Sequence, residues 1–168
     1  MNIFILDEDP TLSVIYHTDK HIVKMPIEST QILCTVLHNT HLAPDWAYKP
    51  THKSHRCVQW ALESIDNWRW LRDYTILLGN EYTYRYDKQH KSITIAQWLP
   101  EPDIKSIGLT PFAKCVPEEF KNLPVVEAYR EYFKHYKNHI KQYTRRPIPD
   151  WWKKRVYERN THNKCGCF

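Results

Sequence analysis

Apolar residues recur three and four positions apart through most of the chain, the signature of amphipathic helices sharing one core. Residues 2–6 (Asn-Ile-Phe-Ile-Leu) form a short extended or buried opening segment. Asp9 followed by Pro10 signals a helix start, with proline at the first helical position. A first helix is expected over about residues 10–39, with a kink or break near 22–25 because Pro26 removes a backbone hydrogen bond. Its core side reads Ile15, Ile22, Val23, Pro26, Leu33 and Leu37. Residues 38–53 lack a period and read as a loop leading into a basic, aromatic stretch that ends at Arg56. A second helix fits about 57–86, where Val58, Ala61, Leu62, Ile65, Trp68, Leu71, Tyr74, Leu78 and Tyr82 keep the 3–4 spacing. Residues 88–99 suit a further short helix, and 100–117 an irregular crossing segment. The last helix is expected from Pro124 to about Tyr143, with Val125, Ala128, Tyr129, Tyr132, Phe133, Tyr136 and Ile140 inward. The expected class is therefore all-α: a single compact domain, residues 1–160, of three main helices with long irregular connections. A polar tail, residues 161–168, is expected to be disordered.

Opposite the apolar side of the first helix runs a polar row: His17, His21, Lys24, Glu28 and Gln31. At about 100° per residue these five fall within an arc of roughly 80°, and Lys20 widens it to roughly 100°. A solvated helix face usually carries Lys and Glu in i,i+4 pairs. Two imidazoles, an ammonium, a carboxylate and an amide in one row are instead suited to proton transfer and anion binding.

Composition narrows the setting. With 168 residues the chain buries an adequate core without staples. Only three glycines occur, and neither a P-loop nor a dinucleotide-binding fingerprint is present. Aromatic residues make up 14% and the formal net charge is +5, a combination that suits nucleic acid or nucleotides better than a membrane. No apolar run reaches about 18 residues, and no standard secretion signal is seen, so no membrane partner is expected. The five cysteines, Cys34, Cys57, Cys115, Cys165 and Cys167, form no CxxC pair and read as reduced thiols in a cytoplasmic setting. Local spacing gives neither a metal site nor a cofactor site.

Asp19-Lys20-His21, with Glu28 seven residues after His21, resembles the first helix of the bacteriophage endonuclease V type of pyrimidine-dimer DNA glycosylase and AP lyase. The order of later elements is similar as well. The helix through 60–86 resembles that family's central helix, and Pro117-Glu118-Glu119-Phe120-Lys121 resembles the opening of its third. Arg146-Pro147 followed by Trp151-Trp152-Lys153 resembles its basic terminus, with a longer spacer after the proline. Ile27 stands where the family has an arginine before the glutamate, and Lys20 and Lys24 lie nearby to supply charge.

The resemblance implies an endonuclease V-like fold and repair chemistry on DNA in the cytoplasm, the host's if the chain is phage-encoded. The α-amine, here of Met1, attacks C1′ of the damaged nucleotide and forms an imine, after which β-elimination cuts the strand. Glu28 stabilises the sugar cation and moves protons, and His21 positions the sugar-phosphate. An ordinary α-amine keeps a useful neutral fraction at physiological pH, unlike an ordinary lysine. The damaged nucleotide must leave the stack to be reached. Substrate contacts are expected from His17, Lys20, Lys24, Gln31, His52 and His55. Lys134, Lys137, Lys141, Arg145 and Arg146 are expected on the phosphate backbone, with Trp151 or Trp152 stacking on an exposed base. Three other readings remain. One is a non-catalytic protein of the same fold that binds a nucleotide or small phosphorylated ligand. Another is a metal-dependent hydrolase built on His17, His21, Glu28 and His52 or His55. The third is an inert helical interaction protein.

Overall fold

The Asp9 carboxylate accepts a hydrogen bond from the Thr11 N–H (2.7 Å), and Pro10 takes the first helical position, where its missing N–H is harmless. The first helix thus starts where the sequence signals it. The structure, a computed structural model, describes residues 1–153. In chain order the helices are α1 Pro10–Ile15, α2 Asp19–Asn39, α3 Arg56–Glu63, α4 Ile65–Tyr86, α5 Lys91–Trp98 and α6 Val125–Tyr136. Short 3₁₀ turns follow at Glu118–Phe120, Asn138–Ile140 and Asp150–Trp152. No strand occurs among the described residues, and the class is all-α. None of their helices is long and apolar enough to cross a membrane. The expectations for residues 154–168, including the tail with Cys165 and Cys167, lie outside the described residues.

The breaks fall elsewhere than expected. The first long segment divides at residues 16–18, not at Pro26. Thr18 is extended and caps α2, its hydroxyl facing the His21 N–H. The buried Arg85 guanidinium takes the Ile15 carbonyl at the end of α1 (3.0 Å). Pro26 is tolerated inside α2, where His90 Nε2 donates to the neighbouring Val23 carbonyl (3.1 Å). The second segment divides at Ser64, whose extended backbone ends α3 and whose hydroxyl caps α4 through the Asp66 N–H (3.2 Å). The last helix stops at Tyr136, seven residues early, and the chain continues as a 3₁₀ turn. Val23 and Tyr136, expected inward, are exposed.

α2 and α4 form the central packed pair, flanked by α1, α3 and α5. Gly79 permits the approach of α5, since a Cβ there would stand 2.1 Å from Ile93 Cγ1. Between α4, the start of α2 and the closing segment lies a buried ionic knot. Arg85, fully buried, donates to Glu81 (2.7 Å) and Asp19 (3.0 Å). Asp19 also accepts from the Thr144 N–H and hydroxyl (2.8 and 2.9 Å). Burial alone would raise the Asp19 carboxyl, but the Thr144 bonds and Arg85 outweigh it and hold it below the usual carboxylate range. Arg146 grips Glu81 with two bonds (2.9 and 2.7 Å).

Residues 2–6 run as a strap across this frame, all buried. Phe4 has a positive φ of 54°, a conformation costly for a bulky residue. Its surroundings hold it there. The Phe4 ring packs on His21 (4.9 Å) and Phe133 (5.2 Å), and its carbonyl accepts from the Tyr74 hydroxyl (3.2 Å). Further along, the Leu6 N–H meets Ser13 Oγ (2.9 Å), and Arg130 binds both the Leu6 carbonyl and Asp7 (2.8 and 2.7 Å). A strap fastened at this many points delivers the start of the chain to a defined place on α2.

Candidate functional site

That place is Glu28. The Met1 α-amine stands 3.8 Å from Glu28 Oε2, and the Asn2 N–H donates to the same oxygen (3.1 Å). The other oxygen, Oε1, pairs with Lys24 Nζ one turn back (2.8 Å). Asn2 is itself pinned. Its Nδ2 donates to the Cys115 carbonyl (2.8 Å), and its Oδ1 lies 2.8 Å from the buried Tyr129 hydroxyl and accepts the Ile3 N–H (2.8 Å). The amine and carboxylate thus face one another at the base of a cleft of about 320 Å³. Lys20, His21, Lys24, Tyr132 and Lys137 complete its polar lining. Three lysines and an amine around one carboxylate make the cleft electropositive, which suits a phosphate-bearing ligand. A wider, shallower groove along α3, near Trp60 and Phe112, carries neither the amine nor Glu28.

His21 reaches the cleft as a neutral ring. Burial, reinforced by the charges of His17, Lys137 and Lys24, pushes its pKa down to about 2. Its Nδ1 is paired with the Thr18 hydroxyl (3.0 Å), which leaves Nε2 for a ligand. It can therefore orient a substrate but does not enter as a cation. His17, expected in the same row, is displaced by the break before α2. It is wholly buried, with Nδ1 donating to the Ser13 carbonyl (2.8 Å) and Nε2 without a partner among the described residues. Burial lowers its pKa to about 4.

Those two imidazoles set an acid limit on the fold. Both stay neutral when folded, while the unfolded chain takes up protons at an ordinary histidine pKa of about 6.5. Their full contribution holds above about pH 6.5 and is lost progressively as pH falls, by about 2 kcal/mol each at pH 5. Urea midpoints should drop clearly between pH 7 and pH 5; equal midpoints would contradict the burial of neutral rings.

The remaining expected contacts scatter. Gln31 is half-buried on α2 and is not among the cleft residues. His52 is exposed with its ring on Thr51, and His55 caps α3 through the Cys57 N–H (3.2 Å). Burial lowers the His55 pKa, and the positive charge of the Met1 amine adds to that effect. The expectation that Arg145, Arg146, Trp151 and Trp152 meet nucleic acid is corrected in part. Arg146 is spent on Glu81 and lies over the Tyr84 ring (4.0 Å), and Arg145, though exposed, is paired with Asp87. Trp152 is buried against Phe133, and Trp151 is half-buried and stacks on it, so the pair closes the core. Asn2 and Tyr132 were not legible as site residues, and Tyr132 reads as a core position; Lys137, expected on the phosphate backbone, lines the cleft.

Comparison with family models, curated proteins and solved structures finds no match for this chain.

Proposed function

We propose that this chain is a DNA glycosylase with AP lyase activity, acting on damaged or modified pyrimidines through the Met1 α-amine. The observation that carries the proposal is the 3.8 Å approach of that amine to Glu28 inside a lysine-lined cleft. Imine chemistry needs a neutral amine, a carboxylate beside the developing sugar cation and cations for the flanking phosphates. The Met1 amine, the Glu28 carboxylate and three lysines occur within one cleft. The order of four sequence fragments that resemble the endonuclease V type, spread over most of the chain, supports the same reading.

The steps balance as follows. The amine nitrogen bonds to C1′ as the C1′–base bond breaks, and the base leaves with the electron pair and takes a proton. The nitrogen then gives up one proton, and its lone pair forms the C=N bond as the C1′–O4′ bond breaks and O4′ takes a proton, which leaves an open sugar joined through a protonated imine that keeps one N–H. Removal of a C2′ proton, a task for Glu28, then expels the 3′ phosphate by β-elimination. Water hydrolyses the imine and restores the amine. Lys24, held 2.8 Å from Glu28, places a further cation beside the carboxylate for the flanking phosphates.

The test is borohydride trapping on DNA with a single abasic site. A covalent protein–DNA adduct is expected, and it should vanish when the terminus is acetylated or one residue is added before Met1. Thermal melting of the extended protein shows whether the fold survives. An adduct that persists in a folded, extended protein removes the amine from the mechanism. No adduct with the wild type, together with a nucleotide retained in the cleft, would move the reading to a nucleotide-binding protein.

A further inference from the structure

Behind the wall that holds Asn2 lies a second cluster. His55, Cys57 and Cys115 bring one imidazole nitrogen and two sulfurs within 4.8 Å of one another. Cys57 is buried, while His55 and Cys115 are half-buried, so the cluster is reachable from one side. We propose that these three side chains form a binding site for a thiophilic metal ion, with zinc the ion that fits best.

The donor set points to this chemistry. Two thiolates and an imidazole, with no carboxylate among them, select zinc over hard cations such as magnesium or calcium. Spacing agrees. Sulfurs each about 2.3 Å from a tetrahedral zinc stand about 3.8 Å apart, and the Cys57 and Cys115 sulfurs are 3.5 Å apart. That separation is well beyond the roughly 2.05 Å of a disulfide. His55 must swing in by about 1 Å to complete the triangle, a movement within reach of a half-buried side chain. With both sulfurs deprotonated the complex is neutral overall, which suits a partly buried place.

The backbone preorganises the ligands. His55 and Cys57 are tied by the cap at the start of α3, in which His55 Nδ1 accepts the Cys57 N–H (3.2 Å); that nitrogen carries the ring's one available lone pair, so ligation exchanges this hydrogen bond for the metal. The Cys115 N–H donates to the Tyr129 hydroxyl (3.0 Å), and its carbonyl receives Asn2 Nδ2 (2.8 Å). Three protein ligands leave a fourth position for water. Because Cys115 also holds Asn2, a bound ion would clasp α3 to the wall that positions Met1. The site stands whether or not the amine forms an imine, because binding is read without DNA.

Cobalt(II) is the probe, in a Cys165→Ser/Cys167→Ser background so that the tail thiols contribute nothing. One equivalent should produce thiolate-to-cobalt charge-transfer absorption, displaced by zinc. Cys115→Ser should abolish the band, and His55→Gln should weaken binding by more than about tenfold. In the unsubstituted chain, saturating zinc should protect Cys57 and Cys115 from alkylation, which keeps the test open if Cys57→Ser does not fold. No charge-transfer band, a band unchanged by Cys115→Ser, or unprotected cysteines at saturating zinc would each overturn the proposal.

Discussion

Glu28→Gln should lower the rate of imine formation on abasic DNA by about 10²–10³-fold while leaving DNA affinity nearly unchanged. The substitution keeps the shape and an oxygen for the Asn2 N–H but removes the negative charge 3.8 Å from the Met1 amine. Affinity should hold because the lysines around the cleft are untouched. A glutamate that only solvates a helix would show almost no effect. Single-turnover trapping rates compare the two cases, and equal rates would remove Glu28 from the mechanism.

Arg85→Ala should cost about 3–5 kcal/mol of folding stability, a large share of what a domain of this size possesses. The loss leaves buried Glu81 to Arg146 alone, leaves Asp19 only its Thr144 bonds and uncaps the Ile15 carbonyl at one stroke. Arg85→Lys should recover part of it, since one ammonium cannot reproduce three divergent hydrogen bonds. Urea denaturation measures both. A loss below about 1 kcal/mol for Arg85→Ala would mean that the knot is better solvated than its burial implies.

The site was legible in the sequence where it lies along one helix. His21, Lys24 and Glu28 sit on a single turn-to-turn row because α2 is continuous between them, and a 3–4 spacing reports that directly. His17 was misplaced because the row assumed an unbroken helix. The cap that ends that assumption, Thr18 before Asp19, is only a weak local signal beside Pro26. Ser64 escaped in the same way, a cap residue hidden inside a continuous apolar rhythm. Asn2, Tyr132 and Lys137 join Glu28 only through tertiary packing of the strap and α6. Arg146 and Trp152 show the opposite error. A basic, aromatic terminus reads as a nucleic-acid surface, but a buried glutamate and an aromatic core claim both residues. The His55, Cys57 and Cys115 cluster joins two segments 58 residues apart, and no local spacing rule reaches across that distance.

The most direct test of the central claim is to locate the reduced adduct. After borohydride trapping on abasic DNA, proteolysis and peptide mass spectrometry should find the sugar remnant on the α-nitrogen of Met1. A remnant on the ε-amine of Lys20, Lys24 or Lys137 would assign the nucleophile to a lysine of the cleft and contradict the amine mechanism.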